Sequence, residues 1–339
     1  MTRTSQHSQS RAPFLALVGP TASGKTEAAV ELAERLSAEI VSVDSMVLYR
    51  GMDIGTAKPT AEERRRVRHH LLDVAEPGEP LSVAWYQELA TAAVRSIRQL
   101  GAVPLLVGGS GLYFRAVVDG LSFPGTDPLL RRTLEAEVGA AGPLALHRRL
   151  EALDPAAARR IEPGNARRTV RALEVAALTG RPFSTFAAAW ERYPRERVRA
   201  AGIALPPDVL RTRIERRVHG MLEGGFLDEV RELVANGFEA SLTSSQAIGY
   251  AEMARHLAGK MTLEDAVQTT IRRTRALARR QLAWFRRDPR VRWFGAGGEG
   301  ASGVVDEIEE YLRIGPGAAD EPGPESSSGR DPAGAEIHA

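Results

Sequence analysis

The sequence predicts an α/β protein: a parallel sheet flanked by helices, with an inserted all-helical domain. Three observations carry this expectation. Short apolar runs alternate with helical patterns through the first third of the chain, the alternation that builds a parallel sheet covered on both faces. The first run, Phe14 to Val18, leads into a glycine-punctuated loop and then a helical stretch, Glu27 to Leu36. From Asp127 to about Glu196 the pattern is helix alone, rich in Ala, Leu and Arg, with breaks at Gly142-Pro143, Pro163-Gly164 and Gly180-Arg181-Pro182.

The loop reads Gly19-Pro20-Thr21-Ala22-Ser23-Gly24-Lys25-Thr26, a full phosphate-binding P-loop pattern in its strand–loop–helix context. The expected sheet is therefore of the P-loop nucleoside-triphosphatase type. Its glycines let the backbone turn several N–H groups toward one anion, and the following helix adds its positive end. Lys25 supplies a mobile positive charge, and the Thr26 hydroxyl is placed to ligate Mg²⁺. The pattern implies a bound di- or triphosphate without saying which.

Further along, Ile40 to Val43 is expected as a strand ending at Asp44, and Val103 to Val107 as one ending at Gly108-Gly109. Between them lie a strand expectation over His70 to Val74 and a helix from Ser82, as N-cap, to Leu100. Ligands of such sheets sit beyond the carboxyl ends of the strands, so the P-loop, Asp44 and Gly108-Gly109-Ser110 should converge on one cleft. Asp44 there suits either Mg²⁺ binding or proton abstraction; the plain alternative is a turn or capping aspartate. A run from Val198 to Leu205 returns to the sheet, and helices follow from Asp208 to Arg287. The expected organisation is a flexible start (1–12), a core (13–125 and 198–313), a helical insertion (126–197) and a disordered tail (314–339).

The 339 residues include no cysteine, which excludes disulfides and thiolate metal sites and fits a reducing cytoplasm. No signal peptide and no bilayer-spanning apolar stretch is expected. His69 and His70 have no partners at metal-ligand spacing and read as structural, as Trp85, Trp284 and Trp293 read as core. Net charge is only +2, and lysine occurs only at positions 25, 58 and 260, so the arginines carry the positive charge.

Two arginine clusters stand out. Wound as a helix, Ile271 to Arg287 puts Ile271, Leu277, Ala278, Leu282, Trp284 and Phe285 on one arc. Arg272, Arg273, Arg275, Arg279, Arg280, Arg286 and Arg287 fill the other, with no acidic residue before Asp288. Arg167, Arg168 and Arg171 begin a helix in the insertion. A basic arc is often only a solvated face, but two such surfaces suggest a polyphosphate strand lying across the protein.

With these residues in view, the chain from about Phe14 to Phe294 resembles the bacterial tRNA dimethylallyltransferases, which prenylate adenosine 37. Beyond the P-loop, the resemblance rests on the block from Asp44-Ser45-Met46-Val47 to Ala57-Lys58-Pro59 and on His69 to Asp73. Val107 to Phe114, Arg171 to Val175, Ala247 to Tyr250 and Arg279 to Arg286 also match. It implies that the P-loop holds the diphosphate of dimethylallyl diphosphate rather than ATP. Asp44 would be the general base on the adenine amine, Thr26 a catalytic contact to Mg²⁺ and diphosphate, and Arg217 a diphosphate ligand.

The resemblance also implies tRNA contacts at the anticodon stem-loop. They would come from Asp44, Ser45, Met46, Val47, Ser110, Arg131, Arg167, Arg168, Arg171, Gln246, Gly249, Tyr250, Arg279, Arg280, Gln281 and Arg286. Val47 stands where many members carry Gln, which removes a base-edge hydrogen bond, and Ser110 replaces a usual Thr while keeping the hydroxyl. Pro163-Gly164-Asn165 replaces the usual lead-in to the Arg167 cluster. A cytoplasmic monomer is implied. The rival readings are a P-loop small-molecule kinase using ATP, which leaves both arginine surfaces without a purpose, and a nucleotide-gated RNA-binding protein without catalysis.

Overall fold

A computed structural model describes residues 12–238, 243–297 and 301–314. The expected flexible start and disordered tail therefore lie almost wholly outside the described residues. In chain order the first elements are β1 (Phe14–Val18), α1 (Lys25–Leu36), β2 (Ala38–Val43), α2 (Ala61–Arg66) and β3 (His69–His70). Next come α3 (Val83–Gln99), β4 (Val103–Gly108) and α4 (Gly111–Asp119). Five helices follow: α5 (Pro128–Ala141), α6 (Pro143–Leu153), α7 (Pro155–Arg160), α8 (Ala166–Thr179) and the single turn α9 (Ser184–Ala187). The chain then forms β5 (Val198–Ala204), α10 (Pro207–Glu223), α11 (Phe226–Ala235) and α12 (Tyr250–Leu257). It ends with α13 (Leu263–Phe285), β6 (Val291–Gly295) and α14 (Val305–Ile314).

All six strands join one parallel sheet in the order β3-β2-β4-β1-β5-β6. Strand residues alternate between faces, and both faces are covered, so the central strands β1 and β4 are apolar along their length. Leu17, Ile40, Leu105 and Ile203 pack into the core under α1 and α10 to α14. Ala16, Val18, Val41, Val43 and Leu106 pack on the other side with Tyr86 of α3 and Phe114 of α4. β1 pairs with β4 on one side and β5 on the other, which makes the strand feeding the P-loop a central one.

Contacts divide the described chain into two compact units. One holds the sheet and runs to Gly120 and again from Pro194 onward; the other is Leu121–Tyr193. The second unit has its own core, in which Leu134, Leu146, Leu150, Ile161, Val170 and Leu173 are buried. Three of its helices start on Asp127, Asp154 and Asn165, each capping with a side-chain oxygen.

Three elements differ from expectation. The strand expected over His70 to Val74 shrinks to His69–His70, because Leu71 and Asp73 adopt left-handed backbone (φ 63° and 55°) that breaks a ladder. The turn swings Asp73 onto Lys58 and Arg64. β6 and α14 were not expected individually; β6 buries only Val291 and Phe294, too short a pattern to stand out. The helix expected from Ser82 is found, with the Ser82 hydroxyl accepting the Trp85 N–H at 3.1 Å.

Candidate active site

Beyond the carboxyl ends of β1, β2 and β4, residues Thr21 to Thr26, Asp44 and Gly108-Gly109 line one cleft, with Arg217 and Gln281 entering from α10 and α13. This convergence is the physical content of the site. Gly24 closes the loop in left-handed backbone at φ 89°, where any side chain is strained, and α1 starts immediately after it.

Lys25 turns back over its own loop, donating to the Pro20 carbonyl and reaching Ser23 Oγ at 3.5 Å. Burial, helped by the nearby Arg217 charge and opposed by Asp44, depresses its pKa to about 7. Burial likewise holds Arg217 below the usual guanidinium range, helped by the charge of Arg213 one turn away. Arg217 donates to Thr21 Oγ1 at 3.4 Å. Two desolvated cations thus share a cleft with N–H donors, an arrangement that an entering anion relieves.

Asp44 ends β2 and is steadied by the Met46 backbone N–H, which donates to Oδ1 at 2.9 Å. Burial raises its pKa, opposed by that hydrogen bond and by Lys25. A carboxylate of raised pKa is a stronger proton acceptor than an exposed one. Among the described residues there is no cluster of three His, Asp or Glu to cage a metal. The Thr26 hydroxyl lines the cleft, a hard donor suited to a Mg²⁺ that completes its shell with water and substrate phosphate.

The remaining expected residues separate into groups. Val47 lines the cleft, and Ser45 and Met46 are partly exposed beside it. Gly19 and Pro20 lead into the loop. Gln281, expected to face RNA, also accepts the Thr21 N–H at 2.8 Å. Ser110 caps α4 without a side-chain capping bond. Arg279, Arg280 and Arg286 are exposed, as are Gln246 and Arg167.

Arg168 is half-buried, which lowers its pKa. Gly249 is buried at the start of α12, its N–H donating to Glu252 at 2.7 Å.

Three residues expected from the resemblance to contact RNA have partners within the protein, and one of them is closed off from solvent. Tyr250 is fully buried and its hydroxyl donates to Glu229 at 2.5 Å, so it presents no surface. Arg171 donates to Glu174, Gly125 O and Pro124 O (2.7, 3.0 and 2.6 Å), and Arg131 donates to Glu174 at 2.6 Å. Glu174 is wholly buried and needs both cations to hold its charge.

The basic arc of α13 is also partly neutralised, contrary to the sequence reading. Glu252 pairs with Arg273 and Glu215 with Arg275, carboxylates supplied by α12 and α10. Arg279 and Arg280, both exposed, have no carboxylate partner among the described residues.

Sequence reasoning assigned no role to Thr56, Ala57, Pro59, His69 and Leu72, which line the cleft. They lie in matched blocks, so a signal was there, but nothing local says that they face a ligand. His69, expected to be structural, borders the cleft with Nδ1 on the Val67 carbonyl at 2.9 Å, and burial lowers its pKa. His70 pairs with Glu39 at 2.5 Å. Trp85, Trp284 and Trp293 pack against the cores as expected.

Fold and cleft together define a P-loop α/β protein with an anion cradle beside a half-buried carboxylate. The IPP transferase family model matches residues 47–288, and the chain belongs to that family. The tRNA dimethylallyltransferase of Salinispora tropica is 53% identical over 297 residues, covering 88% of this chain and 92% of that protein. That of Thermobifida fusca is 54% identical over 285 residues, covering 82% and 88%. The crystal structure of a tRNA isopentenylpyrophosphate transferase from Bacillus halodurans superposes with a TM-score of 0.66 at 44% identity, over 89% of this chain and 96% of that one.

Proposed function

We propose that the protein transfers the dimethylallyl group of dimethylallyl diphosphate to N6 of adenosine 37 in the tRNA anticodon loop, releasing diphosphate. The observation that carries this reading is the single cleft holding both the P-loop cations and the Asp44 carboxylate. Membership of the IPP transferase family weighs against the kinase reading.

The chemistry asks for two things. An adenine amine is a poor nucleophile, because its lone pair is delocalised into the ring. Its attack on the allylic C1 breaks the C1–O bond, and the departing diphosphate takes up negative charge. Lys25, the loop N–H groups and Arg217 stabilise that charge. Asp44 accepts the proton released from N6 as the C–N bond forms. The Thr26 hydroxyl would hold Mg²⁺, which, when bound, further neutralises the leaving group.

The adenine must leave the anticodon-loop stack to reach Asp44. That costs a few kcal/mol, which phosphate contacts to the exposed arginines offset. We place the protein as a cytoplasmic monomer; no helix among the described residues is long and apolar enough to cross a membrane.

The test is incubation with tRNA, Mg²⁺ and dimethylallyl diphosphate, followed by nucleoside analysis of the digested tRNA. N6-dimethylallyladenosine is expected. Its absence, with ATP turned over instead, would reverse the assignment.

A further inference from the structure

Glu229, on α11, holds its carboxylate against the backbone of a distant loop. Oε2 accepts the N–H groups of Asp53 at 3.0 Å and Ile54 at 2.8 Å. Oε1 accepts the Gly55 N–H at 3.2 Å and the Tyr250 hydroxyl at 2.5 Å. Four donors meet one half-buried carboxylate, and none of them is a cation. Successive backbone N–H groups turned onto one anion form a nest, a grip that loops use to fix their shape.

The gripped loop continues directly into the cleft, where Thr56, Ala57 and Pro59 form part of the lining. Its far end is pinned as well. The Lys58 ammonium, almost fully buried, donates to Tyr49 O, Asp53 Oδ1 and Asp73 Oδ1 at 2.5 to 2.6 Å. Between the pins, Gly55 lies so close to the α11 and α12 side chains that a Cβ there would come within 2.2 Å of Phe226 and 2.4 Å of Tyr250. The cleft wall is therefore hung from α11 and α12 by Glu229, at a site that touches neither the P-loop nor Asp44.

We infer that Glu229 is a positioning residue for donor selection: it sets the wall formed by Thr56 to Pro59, against which the hydrocarbon end of the donor packs. This rests on the proposed transfer. The division of labour follows from the lining. Cations and N–H groups at the P-loop take the diphosphate, while Ala57 and Pro59 offer apolar surface to the rest of the donor. Loosening the wall weakens the grip on the hydrocarbon and leaves the grip on the diphosphate intact.

The test compares wild type with Glu229→Gln, Glu229→Ala and Gly55→Ala. The last displaces the same wall by a route that leaves the carboxylate in place. Three quantities are measured: KM for dimethylallyl diphosphate, competitive inhibition by inorganic diphosphate, and the melting temperature, with kinetics recorded well below every melt. Glu229→Ala and Gly55→Ala are expected to raise the donor KM about tenfold or more, with diphosphate inhibition within about twofold of wild type. Glu229→Gln keeps one accepting oxygen and should fall between.

An unchanged donor KM overturns the proposal. So does a parallel loss of donor binding, diphosphate binding and thermal stability, which marks a scaffold role only. A wild-type protein that forms no prenylated tRNA refutes the proposed transfer instead; binding of donor against inorganic diphosphate then still reads out Glu229.

Discussion

The side-chain carbonyl of Gln281, from α13, accepts the backbone N–H of Thr21 in the P-loop at 2.8 Å. The two residues are 260 positions apart, and the bond ties the anion cradle to the helix that also carries exposed Arg279 and Arg280. Gln281→Glu places a negative charge at the cradle, where like charges at about 4 Å repel by about 4 kcal/mol at an effective dielectric of 20. Inorganic diphosphate affinity, measured by calorimetry, is expected to fall about 10- to 100-fold, allowing for screening. Gln281→Ala, which only frees the N–H, should cost far less. Equal affinities for the two variants would place the diphosphate away from Thr21.

Lys25 makes diphosphate binding depend on pH. With a pKa of about 7 in the free protein, its side chain is mostly neutral at pH 8, whereas an unfolded lysine stays charged until about pH 10.4. Between these values the unfolded chain binds more protons, so the contribution of Lys25 to stability of the free protein rises with pH. Bound diphosphate reverses the balance by favouring the ammonium. Binding at pH 8 should therefore take up protons, and affinity should fall as pH rises from 7. Calorimetry in two buffers of different ionisation enthalpy counts the protons. Lys25→Met should abolish the uptake, and uptake that survives in it would assign the proton elsewhere.

Asp44→Asn keeps the shape of the side chain and removes the base. Turnover should drop about 10²- to 10⁴-fold, with tRNA affinity largely kept. In the wild type, burial raises the Asp44 pKa, so the acid limb of the rate profile should lie above the ordinary carboxylate value and vanish in the variant. Full activity in Asp44→Asn would remove this residue from the chemistry.

The arginines should separate into two phenotypes. Charge reversal at exposed Arg279 and Arg280 should weaken tRNA binding and flatten its salt dependence, with little change in melting temperature. Arg171→Ala instead strips hydrogen bonds from buried Glu174 and the Pro124–Gly125 turn, and should cost about 1–3 kcal/mol of stability. Denaturant unfolding beside filter binding at several salt concentrations distinguishes them. An unchanged salt slope in the reversal variant would take α13 out of the RNA interface.

Some of the site was legible because its signals are local. Gly24 requires left-handed backbone beside Lys25, and a loop with that need, set between an apolar strand and a helix, has the makings of an anion cradle. Asp44 was found by its place at a strand end. The partners of the arginines were not legible. The unbroken basic arc of α13 meets Glu252 and Glu215, which lie 21 and 60 residues from the arginines they neutralise.

The amino-acid order alone determined the strands β1, β2, β4 and β5, the P-loop and the change to helix after Gly125, since apolar period, backbone freedom and capping act within a few residues. Tertiary packing alone decided which charges remain available to a ligand. Arg131 and Arg171 face Glu174, Tyr250 gives its hydroxyl to Glu229, and Gln281 reaches the P-loop. The reason is physical: a charge is satisfied by whatever lies within about 3 Å of it, and segments far apart in the chain meet at that distance only after the core has closed.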